Sequence, residues 1–172
     1  MARAALVWHA LHRERSDVSA SPGIETVVLC VDGSDLAHKA VRAGYAILES
    51  PARVLVVTVV EHSDQTLVHG TGMAGGVLSD DEFEELDQAA AAEGWAIAET
   101  AAERLGLRDR EIHVLRGSPG PALCSLARSI DAQAIVMGSR GRGGIKRALL
   151  GSVSDHVVRN APCPVVIVGP DV

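Results

Sequence analysis

The stretch Gly138-Ser-Arg-Gly-Arg-Gly-Gly-Ile-Lys-Arg-Ala-Leu-Leu-Gly-Ser-Val-Ser154 contains four basic residues and no acidic one, although the whole chain has a net charge of −6. It follows the apolar run Ala134–Met137 and leads into a segment with the pattern of a helix. Such a glycine-rich loop between a buried strand and a helix N-terminus suits an anion. The glycines let backbone N–H groups converge, and the helix dipole adds positive potential. The stretch therefore predicts an anion site at the end of a strand.

Strand-like and helix-like patterns alternate along the rest of the chain. Apolar runs rich in β-branched residues predict five strands, and apolar residues at intervals of three or four predict the helices between them. This alternation indicates an α/β fold, with a parallel sheet, helices on both faces and ligands bound at the carboxyl ends of the strands. The predicted strands are Ile24–Val31, Arg53–Val60, Glu111–Arg116, Ala132–Gly138 and Val165–Val168.

The helix boundaries follow from capping residues. The longest predicted helix, Asp81–Leu105, ends at Gly106, because glycine accepts the left-handed conformation that closes a helix. Ser118, followed by Pro119, is expected to cap the next helix. The last helix is expected to begin near Ser152 and to stop at Pro162. The inner face of the longest helix is predicted to contain Phe83, Leu86, Ala90, Gly94, Ile97 and Ala101.

Composition limits the classes of protein that this chain could represent. Its 172 residues are most simply one domain, with 47% hydrophobic but only 2% aromatic residues. The acidic balance and the scarcity of aromatic side chains argue against a nucleic-acid-binding protein. No apolar run approaches the roughly 20 residues that cross a bilayer. The cysteines, Cys30, Cys124 and Cys163, are odd in number and form no Cys-x-x-Cys pair, which predicts a reducing, cytoplasmic environment.

Residues 1–23 differ in character from the rest of the chain. The apolar run Ala4–Leu11 is broken by His9 and is followed by a charged segment. A secretory signal needs a longer uninterrupted apolar stretch, so a mobile N-terminal tail is the favoured interpretation.

Three segments in the same order resemble the universal stress protein family. The pattern Gly138-x2-Gly141-x9-Gly151-Ser152 is similar to that family's ATP-binding signature, and Val28–Asp35 and Asn160–Val168 are similar to its first and last strands. The resemblance implies one domain over residues 24–169 with a Rossmann-like fold of the adenine nucleotide alpha hydrolase type. It also implies the strand order 3-2-1-4-5, ATP as ligand, and a homodimer formed through Val165–Val168.

The resemblance also implies the residues around the nucleotide. Cys30 and Val31 would lie beside the adenine and ribose, Asp32 would contact the nucleotide, and backbone groups of Val59 would bind the adenine edge. Asp32 as a helix cap and Val59 as a core residue are the structural alternatives. The remaining implied contacts, mainly to phosphate, are Met137, Gly138, Arg140, Gly141, Arg142, Gly143, Gly144, Gly151, Ser152, Val153 and Ser154.

The basic side chains of the loop have a second interpretation. Arg140 and Arg142 are expected to attract the ligand at long range without fixed contacts, and Lys146 and Arg147 to cover the following helix. On the glycines alone, a plain flexible loop would explain the stretch as well as a phosphate site.

No catalytic set is evident. The loop matches neither the P-loop nor the dinucleotide fingerprint. Ser154, Asp155 and His156 are consecutive, so on a helix they point to different sides. The histidines have no metal-ligand spacing, and any Mg²⁺ or Mn²⁺ is expected to be held mainly by the triphosphate. The chain is therefore predicted to be an ATP-binding regulatory or stress-response protein without enzymatic activity. The alternatives are a slow ATPase or nucleotide-transferring enzyme, and an interaction module that binds no nucleotide.

Overall fold

The computed structural model describes residues 24–48, 51–60, 79–141 and 150–170. Strands and helices alternate along this part of the chain, as the sequence predicts. In chain order the elements are β1 (Thr26–Cys30), α1 (Asp35–Ala46), β2 (Arg53–Val60), α2 (Asp80–Arg104), β3 (Glu111–Arg116), α3 (Pro119–Ser129), β4 (Ala134–Gly138), α4 (Ser152–Asn160) and β5 (Val165–Val168). The predicted N-terminal tail, residues 1–23, and most of the glycine-rich segment after β2 lie outside the described residues.

The strands form one parallel sheet in the order β3-β2-β1-β4-β5, which confirms the prediction. β1 is at the centre, where Val28 pairs with Leu55 on one side and with Ile135 on the other. These three side chains are completely buried. Each such residue stabilises the fold by about 1.5–3 kcal/mol, because burial removes its whole apolar surface from water.

Helices cover both faces of the sheet. On one face Val27, Leu29 and Val56 form a core with Val41 of α1 and Ala98 of α2. On the other face the alternate residues of the strands pack against α3 and α4. Both sides of each central strand are therefore apolar, which explains the unbroken hydrophobic runs in the sequence.

The longest helix has strong signals at both ends. Ser79 and Glu82 form a capping box at its start, in which each side chain bonds the other residue's backbone N–H. At its end Gly106 has φ +68°, and the N–H of Leu107 donates to the carbonyl of Ala102 at 3.1 Å. This is a Schellman motif, so the prediction that Gly106 ends the helix is confirmed.

Several local expectations were wrong. Leu86 is 49% exposed and does not belong to the inner face of α2. Ser118 stands at the cap position of α3, but its side chain makes no capping hydrogen bond. β4 begins at Ala134, two residues later than predicted, because the N–H of Ala132 donates to Ala127 and closes the end of α3. β1 is likewise shorter than predicted, spanning Thr26–Cys30.

Within the described residues, no helix is both long and apolar enough to cross a lipid bilayer.

Candidate functional site

The two central strands end side by side where the strand order reverses. Val27 pairs with Ala134, and Leu29 pairs with Val136, so the carboxyl ends of β1 and β4 lie at the same edge of the sheet. Beyond this edge is a cavity of about 780 Å³, within the usual range for small-molecule sites. The predicted site residues that line it are Cys30, Val31, Asp32, Val59, Met137, Gly138, Arg140, Gly141, Gly151, Ser152, Val153 and Ser154.

Part of the predicted site lies outside the described residues. This applies to Arg142, Gly143 and Gly144, and also to the basic residues Lys146 and Arg147. The fold brings the described part of the predicted site around one cavity, while contact with a ligand stays a prediction for every one of these residues.

The turn after β1 is organised by Asp32 and Ser34. Gly33 has φ +83°, which lets the chain turn sharply into α1. Ser34 accepts a hydrogen bond from the N–H of Ala37 at 3.1 Å and is therefore the cap of α1. Asp32 receives bonds from the N–H and the hydroxyl of Ser34, at 3.0 and 2.7 Å. The alternative role of Asp32 as the cap itself was wrong: Asp32 orients the residue that caps.

The other carboxylate oxygen of Asp32 faces the loop after β4. A Cβ atom built on Gly141 would lie 2.4 Å from Asp32 Oδ2, far inside the contact distance. A Cβ atom on Gly138 would lie 2.9 Å from the carbonyl oxygen of Arg140. Gly141 therefore allows the loop after β4 to lie close to the end of β1, Gly138 allows the tight turn of the loop itself, and neither places a side chain at the cavity wall.

The two described ends of the loop are joined by a group of hydrogen bonds that we call the loop clasp, formed by Ser139, Gly151 and Ser154. The carbonyl of Ser139 accepts from the N–H of Gly151 at 2.7 Å and from the hydroxyl of Ser154 at 2.8 Å. The Ser154 hydroxyl also lies 3.0 Å from the carbonyl of Gly151, and its residue is only 2% exposed. The hydroxyl proton of Ser154 is thus directed to backbone carbonyls, a structural role that the sequence did not indicate.

The N-terminus of α4 forms part of the cavity wall. Gly151 is the cap residue, with φ −79° and ψ 167°, and no side chain of the described residues makes a capping bond to this helix. The first helical residues, Ser152, Val153 and Ser154, all line the cavity. Because the first N–H groups of a helix lack intrahelical acceptors and carry the positive end of its dipole, this wall favours an anionic ligand.

Arg140 adds a cationic side chain to the same wall. It is half-buried and lines the cavity, and its Nε atom is buried without a hydrogen-bond partner among the described residues. The sequence supports two interpretations of this arginine, a nucleotide contact implied by the family resemblance and long-range attraction without a fixed contact. Its position is compatible with direct contact to a bound anion, because the guanidinium donates only and fits phosphate oxygens well.

The opposite wall is apolar and includes residues that sequence reasoning did not assign to the site. The end of β2 contributes Thr58 and Val60 beside Val59, and α2 contributes Ala90, Glu93, Gly94 and Ile97. Gly94 lets α2 approach closely, since a Cβ atom there would lie 2.8 Å from Val114 Cγ1. The helical spacing of these residues predicted a face turned to the sheet. Nothing in that spacing indicated that the face continues past the strand ends into the cavity.

The thiol of Cys30 lines the cavity but is not activated. Burial raises its pKa far above the ordinary value for cysteine, and burial also raises the pKa values of Cys124 and Cys163. A protonated thiol is a poor nucleophile. These cysteines, all free, therefore act as small apolar core residues.

The Ser154-Asp155-His156 sequence does not converge on a reaction centre. Asp155 bonds Arg159, which lowers the pKa of the carboxyl, while the ring of His156 packs against Gly120. Ser154 belongs to the loop clasp. In the described ranges, no three His, Cys, Asp or Glu residues are grouped to hold a metal ion.

Sequence and structure comparisons agree on the family. The sequence profile of the universal stress protein family matches residues 23–169. A universal stress protein of Thermus aquaticus is 32% identical over 145 residues, which is 84% of this chain and 98% of the relative. The universal stress protein YxiE of Bacillus subtilis is 30% identical, covering 83% and 97% of the two chains.

Solved structures of other proteins superpose on this fold. UspA from Lactobacillus plantarum superposes with a TM-score of 0.64 at 21% identity, over 86% of this chain and 99% of that chain. A universal stress protein in complex with cAMP has a TM-score of 0.56 at 29% identity, over 87% and 99% of the two chains. The chain belongs to the universal stress protein family.

Proposed function

We propose that the protein binds an adenine nucleotide, ATP foremost, in the cavity at the ends of β1 and β4, and serves as a nucleotide-dependent regulator in the stress response. The observation that carries the proposal is the uncapped N-terminus of α4, which lies in the cavity wall beside Arg140. The structurally similar family member in complex with cAMP supports adenine as the base.

The two walls of the cavity suit the two ends of a nucleotide. The phosphates fit the α4 N-terminus and the backbone around Gly138 and Gly141, where the missing side chains leave room. The base fits the apolar wall formed by Val59, Ile97 and Met137. Asp32 lies between these regions and supplies an acceptor for ribose hydroxyls, while Mg²⁺ or Mn²⁺ would be held mainly by the phosphates.

Calorimetry with purified, nucleotide-free protein tests this proposal. ATP is expected to bind with micromolar affinity, about −8 kcal/mol. The apolar wall and the strand-end backbone should select adenine, so GTP should bind more weakly. Titrating ADP and cAMP alongside ATP measures how much of the affinity comes from the phosphate chain. Equal affinities for ATP and GTP would contradict the adenine assignment.

Catalysis is not part of the proposal. Among the described residues, the carboxylates that line the cavity are Asp32, which accepts two hydrogen bonds from Ser34, and Glu93 on α2. Turnover should be well below the roughly 10 per second typical of enzymes. Single-turnover assays with labelled ATP test the slow-ATPase alternative. Native mass spectrometry of gently purified protein tests the interaction-module alternative, since a carried nucleotide excludes it.

We also infer a homodimer that forms through β5 and a cytoplasmic location in which the thiols stay reduced. β5 is an edge strand with no charged residue, and its four residues are only half-buried. An apolar edge favours pairing with a second copy. Ile167→Lys should give a monomer by light scattering, whereas Val158→Lys, at an exposed site on α4, should not. A single-chain mass for the unmodified protein at micromolar concentration would contradict the dimer.

A further inference from the structure

A second pocket, of about 360 Å³, lies in a groove between α1 and the end of α2. Its floor is closed by Val31, Val41 and Ala101, which are 5%, 0% and 1% exposed, and the half-buried Leu105 presents apolar surface to it. Val31 lines both this groove and the larger cavity, from opposite sides of the strand end. The groove is therefore a separate compartment with a wall in common with the proposed nucleotide site.

The rim of the groove is cationic, although the protein as a whole is acidic. α1 contributes Lys39 and Arg42, three residues apart, and the end of α2 contributes Arg104. Asp35 is the acidic residue among those that line the groove. Its bond to Arg104 is long, at 3.4 Å, and its side chain is 90% exposed, so this ion pair adds little and is easily exchanged.

His38 presents an unsatisfied donor at the same place. Arg104 Nη1 lies 3.4 Å from His38 Nδ1. Because a guanidinium only donates, Nδ1 must be the acceptor and the ring proton must be on Nε2. This Nε2–H is buried and finds no acceptor within the described part of the chain. A buried donor without an acceptor is costly. Because Nε2 is shielded from solvent while the ring lines the groove, a turn of the ring would let an anion bound there supply the missing acceptor.

We propose that the groove between α1 and α2 is a second binding site, for a small organic anion with an apolar body and a carboxylate or phosphate group. The apolar body would lie against the half-buried Leu105 and the aliphatic stems of Lys39 and Arg42. The anionic group would contact Arg42, Arg104 and, once the ring turns, His38. The proposal does not depend on nucleotide binding at the larger cavity, because it rests on residues of the groove alone.

Site-resolved NMR on the full chain tests the proposal, with 2-naphthoate as the probe and its uncharged amide, 2-naphthamide, as the matched ligand. Addition of 2-naphthoate should shift the amide signals of α1 and Arg104. The amide probe should bind at least tenfold more weakly. Shifts confined to the larger cavity, or equal affinities for the two probes, would overturn the proposal.

Paired variants separate recognition by this rim from general attraction by positive charge. The double substitution Arg42→Gln with Arg104→Gln should weaken 2-naphthoate binding at least tenfold. The control, Arg108→Gln with Arg128→Gln, removes the same charge from exposed positions outside the groove and should leave the affinity within twofold. An equal loss in both double variants would overturn the proposal. All four positions are exposed, so the fold should survive, which thermal unfolding by circular dichroism verifies.

Discussion

Two helices begin beside the same cavity, and their first turns differ. α1 follows β1 and is capped by the Ser34 hydroxyl, which bonds the N–H of Ala37 and is itself held by Asp32. α4 follows β4 and begins at Gly151, and in the described part of the chain it has no side-chain cap. A side-chain cap occupies one of the donors that an anion could use, whereas an uncapped helix keeps that donor available. The difference locates the proposed phosphate wall at α4.

The charges of the two first turns, by contrast, are alike. α1 carries Asp35, which lies 3.4 Å from Arg104, and α4 carries Asp155, which accepts from Arg159 one turn later. What distinguishes α4 is Arg140, whose side chain lines the cavity together with the first residues of that helix and increases the positive potential there.

The largest expected effect on binding comes from filling the space between the turn after β1 and the loop after β4. In Gly141→Val the new Cβ would lie 2.4 Å from Asp32 Oδ2, so either the loop or the Asp32 carboxylate, which Ser34 holds, would have to move. We expect ATP affinity to fall by roughly 100-fold, about 2.7 kcal/mol, in calorimetry. Gly169→Val is the control, because a Cβ at Gly169 meets no atom within 4 Å. Unchanged ATP affinity in Gly141→Val would show that the loop is not part of the phosphate site.

The next prediction gives α4 the cap that α1 already has. Gly151→Asp places a carboxylate at the cap position, where the backbone is extended and a Cβ meets Ser139 O at an ordinary 3.5 Å. The new cap should stabilise the protein by about a few tenths of a kcal/mol relative to glycine. The same carboxylate should compete with phosphate and weaken ATP binding by roughly tenfold, about 1.4 kcal/mol.

Thermal unfolding and calorimetry on the same sample of Gly151→Asp measure both changes. Gly151→Ala, which adds a Cβ without a charge or an acceptor, is the control and should weaken ATP binding much less. If Gly151→Asp bound ATP as tightly as the unmodified protein, the α4 N-terminus would not be the phosphate wall.

A smaller effect is expected from opening the loop clasp. Ser154→Ala removes the hydroxyl that donates to Ser139, while the Gly151 N–H still satisfies that carbonyl. The free energy of unfolding should fall by about 1–1.5 kcal/mol, the usual contribution of one hydrogen bond. The exposed Ser152→Ala should change stability by less than this. If chemical denaturation showed a larger loss of stability in Ser152→Ala than in Ser154→Ala, the structural role of Ser154 would be refuted.

The smallest effect on binding is expected at the capped helix. Ser34→Ala removes the α1 cap and should lower the free energy of unfolding by about 1 kcal/mol. ATP affinity should stay within about twofold, because the α1 N-terminus has no assigned role toward the phosphates. A large loss of affinity in Ser34→Ala would show that the Asp32–Ser34 pair takes part in binding and would remove the contrast between the two helices.

Much of this arrangement could be predicted from local patterns. The unbroken apolar run of β4 predicted a strand with both faces covered, and the side chains of Ala134, Ile135 and Val136 are indeed almost completely buried. Gly106 predicted the end of α2, because its left-handed conformation is a local property of glycine. Leu86 was misplaced because helical periodicity identifies the apolar face of a helix, but not where along the helix the rest of the protein stops covering that face.

The amino-acid sequence by itself determined the α/β class, the alternation of strands and helices, and the position of the glycine-rich loop between β4 and α4. These features depend on periodicity and on the conformational freedom of glycine, which act over a few residues. Only the tertiary structure decided that Ser154 joins the loop to Ser139 and that α2 completes the cavity. Hydrogen bonds and cavity walls of this kind depend on which distant segments the parallel sheet brings together, and no local pattern specifies that contact.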